Sequence, residues 1–465
     1  MAHHDFGANC MWLNILTSVF LRSKVHDLMQ RMRESRIYMV GIGGIGMSAL
    51  AQLLHAEGKT VSGSDRAESP TTELLKRKGI SVGIGHDAST LPSDTELLIY
   101  SDAVWPDNSL RAAAVEMKIP QISYFEALGN VSREMRTIAV SGTHGKTTTT
   151  GMLAQILRIA GTNPTAVVGS IVRDFSPSDG GSNFLQGSRE IFVVEACEYR
   201  DHLLELHPEV LVVTNIELDH TDFFPSLSAM QATFRAAMER VPAHGKIVTN
   251  PQDPNIAPLL THVQAEIIDY TKEDVPDLLL IGEFNRMNAR AAKAAARAGF
   301  ADISLDTCDD ALRSFKGSWR RFEFKGESKK GALIYDDYAH HPTAVESTIE
   351  AARQAFSDKR IIVAFHPHLY TRTRDLMDGF AKALAKADEV ILAPIFPARE
   401  KPIPGVTSEA LAEKVAVLGV PVETFSSLHD MYENLEKKDS LSKDSLLITM
   451  GAGDIYKVAE QLTQE

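Results

Sequence analysis

The 465-residue chain has room for two to four domains, and its 44% hydrophobic and 23% charged residues are typical of a soluble globular protein. A net charge of −13 argues against a nucleic-acid partner. The three cysteines, Cys10, Cys197 and Cys308, stand apart without CxxC spacing, which argues against disulfides and a cysteine zinc site and indicates a reducing, cytoplasmic compartment.

The first 33 residues predict an extension that precedes the folded domains. Their apolar run, residues 11–21, contains Asn14, Thr17 and Ser18 and is too short to span a bilayer. No basic segment precedes the run, as a signal peptide would require. We therefore expect no membrane partner.

The first folded unit, residues 34–133, opens with a predicted strand at residues 37–40. A loop with glycines at 41, 43, 44 and 46 follows, then a predicted helix, and then a second strand that leads to Asp65. This Rossmann-like pattern predicts a nucleotide diphosphate at the helix N-terminus, and NAD is one candidate. His86 and the strand that ends at Ser101 belong to the same alternating α/β pattern.

The second unit, residues 134–300, begins with a phosphate-binding pattern. A buried strand is predicted at residues 137–140, and an amphipathic helix ending near Gly161 follows Ser141-Gly142-Thr143-His144-Gly145-Lys146-Thr147-Thr148. Backbone N–H groups of such a loop point at phosphate oxygens, the lysine reaches the terminal phosphates, and the threonine hydroxyl reaches Mg²⁺. Only two residues separate the loop glycines, where the common P-loop has four.

Acidic side chains follow two further predicted strands of this unit. Residues 191–194 lead to Glu195 and Glu198, and residues 210–214 lead to Asp219 and His220. An acid at the end of an apolar strand is where a nucleotide-bound Mg²⁺ is usually held, so the segment that begins at Glu195 predicts a Mg²⁺ site. The carboxyl ends of parallel strands form the ligand-binding edge of a sheet, so Asp219 and His220 are expected at the same edge. The short stretch from 270 to 282 leaves little room for more strands before an alanine-rich helix at residues 289–298.

The third unit, residues 301–465, has four predicted strands that each end in a polar loop. Four histidines on these loops, His340, His341, His366 and His368, suggest zinc, but their neighbouring prolines and the absence of a helical i, i+4 pair disfavour it. The arginines of the same unit are better suited to carboxylate or phosphate groups. They are Arg372, Arg374 and Arg399.

Taken together, three consecutive α/β units with these motifs resemble the Mur ligases over about residues 36–456. The resemblance rests on four segments, at residues 41–48 with 62–65, 142–147, 336–342 and 366–373. It implies a Rossmann-like UDP-binding domain, a central P-loop-type ATPase domain and a Rossmann-like C-terminal domain. It also reassigns the first glycine loop from NAD to the UDP of a sugar substrate.

The resemblance implies an amide ligase that joins L-alanine to the lactyl carboxylate of UDP-N-acetylmuramate in cytoplasmic peptidoglycan precursor synthesis. ATP and Mg²⁺ would serve as cofactors, and the carboxylate would react through an acyl phosphate and a tetrahedral intermediate. The enzyme would be a monomer or a homodimer. Three ligands must then meet in a cleft from which water is excluded.

The resemblance also assigns roles to individual residues. Catalysis would involve Lys146, Glu195, His220 and Arg372. Mg²⁺ would be held by Thr147, Glu195 and His220. ATP would contact Gly142, Thr143, His144, Gly145, Lys146, Thr147, Thr148, Asn285, Asn288, Arg320 and Asp337. The UDP-sugar would contact Gly43, Gly44, Ile45, Gly46, Asp65, His86 and Ser101. L-Alanine would contact Tyr338, His368 and Arg372.

The chain departs from the family pattern in places, and other functions stay open. Phe284 stands where the family often has histidine, and the stretch before Gly282 implies a missing strand pair in the central domain. The alternatives are a related ligase that adds another amino acid or a recycled tripeptide, a catalytically silent regulatory protein of the same family, and an NAD dehydrogenase. The dehydrogenase leaves the Lys146 loop and the third unit unexplained.

Overall fold

The computed structural model describes residues 35–398 and 400–464, so the predicted extension at residues 1–33 and Arg399 lie outside the described residues. The chain forms two compact units. One contains the described residues up to Arg136 together with Glu205–His207, and the other contains Thr137–Leu204 and the chain from Pro208 onward. None of the described helices has the length and apolar character needed to cross a membrane.

The first unit is built on a five-stranded sheet in the order β3-β2-β1-β4-β5, and all its strand pairs are parallel. The central strand is fully buried at Met39 and Val40, as its apolar sequence predicts. The strands are β1 Arg36–Val40, β2 Thr60–Asp65, β3 Ser81–Ile84, β4 Leu97–Tyr100 and β5 Gln121–Ser123. The helices are α1 Ile45–Ala56, α2 Pro70–Arg77, α3 Ser109–Glu116 and α4 Tyr124–Glu134.

The middle domain has a seven-stranded sheet in the order β12-β11-β10-β6-β9-β7-β8, in which β8 runs antiparallel to β7. Its strands are β6 Arg136–Ser141, β7 Thr165–Val172, β8 Ser182–Leu185, β9 Ile191–Glu195, β10 Val210–Val213, β11 Lys246–Thr249 and β12 Glu266–Asp269. Its helices are α5 Lys146–Ile159, α6 Leu227–Arg240, α7 Glu283–Gly299 and α8 Leu305–Ser314. A short 3₁₀ turn of the first unit lies at Ala88–Thr90, and those that follow β6 lie at Pro177–Asp179, Tyr199–Glu205, Ala257–His262 and Tyr270–Lys272. As the sequence predicts, no strand lies in the fully described stretch from 270 to 282.

The boundary between the middle and third domains differs from the prediction. Helix α8 contributes Cys308, Ala311 and Leu312 to the same apolar core as α5 and the middle sheet, and Phe315 extends that core. These side chains are buried against the middle domain, so the third domain begins after Phe315 and not at residue 301.

The third domain has a six-stranded sheet in the order β13-β14-β18-β15-β16-β17, parallel except for β13. Its strands are β13 Glu323–Glu327, β14 Leu333–Asp337, β15 Arg360–Phe365, β16 Glu389–Leu392, β17 Val422–Thr424 and β18 Ser445–Met450. Its helices are α9 Pro342–Ala355, α10 Tyr370–Asp375, α11 Met377–Leu384, α12 Ser408–Val417, α13 Leu428–Lys437 and α14 Tyr456–Leu462.

Strand β15 shows why this sheet is covered on both faces. Ile361, Val363 and Phe365 pack into one apolar core, and the alternate residues Ile362 and Ala364 pack into another. Successive strand side chains point to opposite faces, so a continuous apolar run requires helices on both. The predicted fold class, three consecutive α/β domains, is confirmed.

Candidate active site

The second compact unit contains a cleft of about 550 Å³ between the middle and third domains. The phosphate loop, the carboxyl ends of β9 and β10, and the first turns of α7 form one side of it. The loop after β14 and the first turns of α9 form the other side. Most of the sequence-predicted ATP and metal residues therefore lie around one space.

The phosphate loop requires glycine at both its glycine positions. Gly142 and Gly145 have φ angles of 128° and 83°, which side-chain-bearing residues rarely adopt. A Cβ at Gly145 would lie 2.1 Å from Asn288 Oδ1, and a Cβ at Gly142 would lie 2.1 Å from Thr214 Oγ1. The loop backbone is held by hydrogen bonds that Thr143 N and His144 N donate to Asn215. The loop ends at the N-terminus of the 14-residue helix α5, which favours a bound anion.

Lys146 is the first residue of α5 and lies inside this loop. Its Nζ donates to Gly142 O at 2.5 Å and to Thr143 O at 3.1 Å, and it lies 2.9 Å from Glu198 Oε2. Burial acts to lower the pKa of Lys146, but the attraction of the nearby carboxylates, chiefly Glu198, is stronger and raises it. Burial acts to raise the pKa of Glu198, but Lys146 and His220 have the stronger effect and hold the pKa of that carboxyl below its usual value. The two groups thus form a buried charge pair.

The three predicted metal ligands make two separate contacts and do not form one group. Thr147 Oγ1 donates to Glu195 Oε1 at 3.0 Å, whereas His220 Nε2 lies 3.5 Å from Glu198 Oε1. His220 has a φ angle of 53°, a left-handed conformation that is uncommon for a residue with a side chain. A hydroxyl and carboxylates suit Mg²⁺, which prefers oxygen ligands and needs few from the protein.

The predicted adenine residues lie on a helix and not before it. Helix α7 begins at Glu283, directly after Gly282 with its φ angle of 91°, so Asn285 and Asn288 occupy its first turns. Both asparagines line the cleft beside Phe284. They are linked by a hydrogen bond of 3.3 Å from Asn288 Nδ2 to Asn285 Oδ1.

The structure corrects the prediction for Arg320. Its guanidinium is buried and donates to Asp336 Oδ2 at 2.7 Å and to the carbonyl oxygens of Gly451 and Gly453. Arg320 is not among the residues that line the cleft. Its neighbour Arg321 lines the cleft and donates to Thr147 Oγ1 at 3.1 Å, so Arg321 replaces Arg320 as the arginine directed at the phosphate loop.

Asp337 lies on the cleft, as expected for a residue near ATP. Its carboxylate accepts hydrogen bonds from the backbone N–H groups of Phe322 and Ala339, both at 2.7 Å. Burial raises the pKa of Asp337 to about 6, although Arg321 and these N–H groups act in the opposite direction. The carboxyl therefore fixes the loop after β14 and faces Arg321.

Of the three predicted L-alanine contacts, Tyr338 lines the cleft, and Arg372 and His368 do not. Arg372 is buried and donates to Asp219 Oδ1 from Nε at 2.9 Å and from Nη2 at 2.7 Å. Its Nη1 lies 3.1 Å from His368 Nδ1, and the His368 ring stacks on Phe396. Burial opposes the charge of Asp219, but Arg372 holds the pKa of that carboxyl well below its usual value.

The predicted UDP-sugar residues lie in the first unit, at the carboxyl edge of its sheet. Gly43 N donates to Asp65 Oδ2 at 2.9 Å, so Asp65 orders the glycine loop. Gly44 is the N-cap of α1, and Ile45 and Gly46 begin that helix. A Cβ at Gly46 would lie 2.6 Å from the Tyr124 ring, which explains this glycine. Asn108 Nδ2 donates a hydrogen bond to His86 Nδ1 at 2.7 Å, and the buried Nε2 of His86 has no hydrogen-bond partner.

Sequence reasoning left two residues of the site without a role. Glu198 was noted only as a second acid after β9, although its carboxylate forms an ion pair with the phosphate-loop lysine. Glu217, between β10 and His220, accepts a hydrogen bond from Thr343 Oγ1 at 2.7 Å. In the sequence, a role for Glu217 was indicated only by its position among the polar residues that follow β10.

Comparison with known proteins matches each domain. Family models match residues 36–136 (Mur ligase family, catalytic domain), 140–278 (Mur ligase middle domain) and 320–453 (Mur ligase, glutamate ligase domain). A relative from Caldicellulosiruptor bescii, UDP-N-acetylmuramate--L-alanine ligase, is 36% identical over 91% of this chain and 97% of its own length. The chain belongs to the Mur ligase family. This Mur ligase is thus an enzyme of the ligase class.

Further matches extend over the same length. A relative of the same name from Bdellovibrio bacteriovorus is 36% identical over 94% of this Mur ligase and 100% of its own length. The solved structure of UDP-N-acetylmuramate-alanine ligase MurC from Thermotoga maritima has a TM-score of 0.76 and 26% identity, with 92% of this chain and 98% of that chain covered. All three domains therefore fall within the similarity.

Proposed function

We propose that this Mur ligase joins L-alanine to UDP-N-acetylmuramate with ATP and Mg²⁺, in the synthesis of peptidoglycan precursors. The proposal takes the substrates from the relatives called UDP-N-acetylmuramate--L-alanine ligase, which are 36% identical over more than 90% of the chain. One observation in the structure carries the proposal: the phosphate loop of the middle domain and the loop after β14 of the third domain, which contains Tyr338, line the same cleft.

The middle domain supplies the groups for phosphoryl transfer. A carboxylate is a poor electrophile, so it must first be activated by phosphorylation before an amine attacks it. Lys146, with its raised pKa, stays protonated and offsets charge that develops on the phosphate oxygens. Thr147 and Glu195 would hold Mg²⁺, which supplies further neutralisation of charge.

The third domain supplies a further positively charged side chain near the phosphates and the residues proposed to bind L-alanine. Arg321 reaches Thr147 from the third domain, where it adds positive charge to the phosphate loop. L-Alanine offers a carboxylate and an amine and almost no side chain, so its recognition depends on a cation for its carboxylate. Arg372 is the residue proposed for this role; because it is paired with Asp219 and does not line the cleft, it would have to turn from Asp219 to reach the substrate carboxylate.

The first unit supplies the UDP-sugar site. The loop from Gly43 to Gly46 ends at the N-terminus of α1, where the oxygens of a diphosphate would accept hydrogen bonds from backbone N–H groups. His86, with its unpartnered Nε2, and Ser101 lie at the same sheet edge for the uridine or sugar. We place the reaction in the cytoplasm, where ATP and nucleotide sugars are present, and expect a monomer or homodimer, which light scattering of the purified protein would test.

The test is phosphate release by the purified protein with ATP, Mg²⁺ and UDP-N-acetylmuramate, each amino acid being added in turn. We expect release with L-alanine, with glycine and L-serine as weaker acceptors. Release only with a preformed tripeptide would instead assign the recycling reaction. Binding of NADH without binding of the UDP-sugar would contradict the whole proposal.

A further inference from the structure

Glu217, which received no role from the sequence, contacts both the phosphate loop and the third domain. It follows β10, and its partly exposed carboxylate lies on the wall of the cleft. The segment to which it belongs, residues 214–218, makes hydrogen bonds in both directions. Glu217 therefore lies where the middle and third domains meet.

On one side, Glu217 fixes two neighbouring residues of the phosphate loop. Thr143 Oγ1 donates to Glu217 O and accepts from Glu217 N, both at 2.9 Å. Because a carboxylate oxygen only accepts, His144 Nε2 donates to Glu217 Oε2, at 3.1 Å. The carbonyl oxygen of His144 accepts from Thr214 Oγ1 at 2.6 Å and from Asn215 Nδ2 at 3.1 Å. The residues after β10 thus set the shape of the loop between its two glycines.

On the other side, the same carboxylate contacts the start of α9 in the third domain. Thr343 Oγ1 donates at 2.7 Å to Glu217 Oε2, the oxygen that also accepts from His144. One residue further along the chain, Leu218 O accepts from His341 Nε2 at 3.2 Å. His341 is the N-cap of α9, and Thr343 is the second residue of that helix. The first turn of α9 is therefore tied to the segment that shapes the phosphate loop.

The start of α9 is also the end of the loop after β14, which faces the phosphate loop. In that loop, Tyr338 N donates to Arg320 O at 2.7 Å and so fixes the backbone next to Arg321. Arg321 in turn donates to Thr147 Oγ1, at the beginning of α5. The third domain thus contacts the phosphate loop and its helix at two points, and two contacts fix an orientation that a single contact would leave free to rotate.

We propose that Glu217 is a positioning residue whose carboxylate joins Thr343 to His144 and so places the third domain for phosphoryl transfer. Hydrogen bonds to an ionised carboxylate are stronger than those between neutral groups, which suits a contact that must hold one domain against another. The effect on turnover rests on the proposed function, because it is measured as phosphate release. The effect on the backbone does not, since these contacts exist in the protein without substrates.

The first variant removes the contact from the third domain and leaves the phosphate loop intact. Thr343→Val keeps the branched shape without the hydroxyl, and kcat for phosphate release should fall about 5-fold, the equivalent of roughly one hydrogen bond. The affinity for a non-hydrolysable ATP analogue, measured by calorimetry, should stay unchanged, because the loop keeps its contacts with residues 214–217. Thr343→Ser retains the hydroxyl and should restore kcat.

Variants at position 217 test the other side of the contact. Glu217→Ala loses both partners and should lower kcat and the affinity for the ATP analogue, whereas Glu217→Gln keeps an oxygen with two lone pairs and should retain most of both. Addition of Thr343→Val to Glu217→Ala should lower kcat no further, because the acceptor of the hydroxyl is already absent. Thr307→Val, which removes a hydroxyl from the first turn of α8 outside the cleft, is the matched control and should leave kcat unchanged.

Amide hydrogen exchange of the ligand-free protein tests the positioning without substrates. In Glu217→Ala, the N–H groups of Thr143 in the phosphate loop and Tyr338 in the third domain should both exchange about 5-fold faster. The positioning role is overturned if faster exchange is confined to the phosphate loop, if Thr343→Val leaves kcat unchanged, or if the effects of the two single variants on kcat multiply in the double variant. If exchange changes as expected but the unmodified protein releases no phosphate with L-alanine, the positioning role stands and the proposed substrates are wrong.

Discussion

Lys146, which lines the cleft, forms a buried charge pair with Glu198, and the two side chains are 16% and 1% exposed. In a buried pair, the removal of one partner leaves an uncompensated charge. Lys146 also makes two hydrogen bonds to loop carbonyls, so it both shapes the phosphate loop and supplies its positive charge.

Lys146→Met should lower phosphate release by on the order of 10²–10³-fold, because a donor that stabilises transferring phosphate is lost. The affinity for the UDP-sugar should stay unchanged, since its proposed residues lie in the other compact unit. Calorimetry with the UDP-sugar and a phosphate-release assay measure the two effects. Lys272→Met, at an exposed lysine, serves as the control, and equal loss of both functions in Lys146→Met would indicate misfolding instead.

His366 predicts a pH-dependent stability. Burial lowers its pKa to about 4, so between about pH 6.5 and pH 4 the unfolded chain binds a proton that the folded chain does not. Stability from this group is complete above pH 6.5 and falls as the pH falls through that window, by roughly 3 kcal/mol in total.

His366→Phe, which keeps the ring beside Phe396, should therefore lose less stability than the unmodified protein between pH 7 and pH 5. Urea unfolding at the two pH values measures this. The comparison must be between the two proteins, because Asp337, with its pKa raised to about 6, changes stability in the opposite direction. Identical pH dependence in both proteins would contradict the prediction.

For individual residues, the sequence predicted which type of side chain lies near the phosphate loop better than it predicted which position supplies that side chain. Arg320 and Arg321 are adjacent and identical in type, yet only one faces the cleft, because the other is held by Asp336 and two carbonyl oxygens. Such a choice depends on the path of the backbone after Gly317, which no spacing in the sequence encodes. The same holds for Glu198, whose partner Lys146 is 52 residues away.

Among the secondary-structure elements, the central strands were predictable and several edge strands were not. Strands β1, β6, β10 and β15 are continuous apolar runs because both faces of each sheet are covered. Strands β12 and β13 lie at sheet edges, and their sequences, Glu-Ile-Ile-Asp and Glu-Phe-Lys-Gly-Glu, mix apolar with charged residues because part of each is exposed. The missing strand pair expected in the middle domain stays a prediction.

The junction of β6 and α5 gives a prediction for an element. Gly145→Ala places a Cβ at a φ angle of 83° and 2.1 Å from Asn288 Oδ1. The left-handed backbone alone costs about 1–2 kcal/mol, and the contact should also displace Asn288 and weaken nucleotide binding. Urea unfolding and calorimetry with a non-hydrolysable ATP analogue measure the two effects.

Gly161→Ala, after the other end of the same helix, is the matched control. Gly161 has a φ angle of 77° and no atom within 4 Å of the Cβ position, so its substitution gives the backbone cost without the contact. We expect similar losses of stability in the two variants and a loss of nucleotide affinity only in Gly145→Ala. Equal nucleotide affinity in both would mean that Asn288 does not depend on this glycine.

At the scale of the whole molecule, the second compact unit is held by contacts between its middle and third domains. The Arg372–Asp219 pair is one of them, with both side chains less than 8% exposed. The sequence placed both residues at the carboxyl ends of strands. It did not predict their contact, because the relative placement of two sheets depends on many weak contacts and not on one motif.

Arg372→Ala should raise the KM for L-alanine and also lower the free energy of unfolding by about 3–5 kcal/mol, since Asp219 loses its buried partner. The double variant Arg372→Ala with Asp219→Asn should recover part of the stability but none of the affinity for L-alanine. Urea unfolding and steady-state kinetics separate these effects. Unchanged stability in the single variant would show that the pair carries little energy.

The hydrogen bond from Arg321 to Thr147 joins residues 174 positions apart in the chain. It means that the phosphate loop acquires one of its positive charges only when the third domain is in place. An enzyme that holds ATP without its acceptors risks futile hydrolysis. Because a middle domain with the third domain displaced lacks this guanidinium, idle ATP cleavage should stay slow until the domains meet.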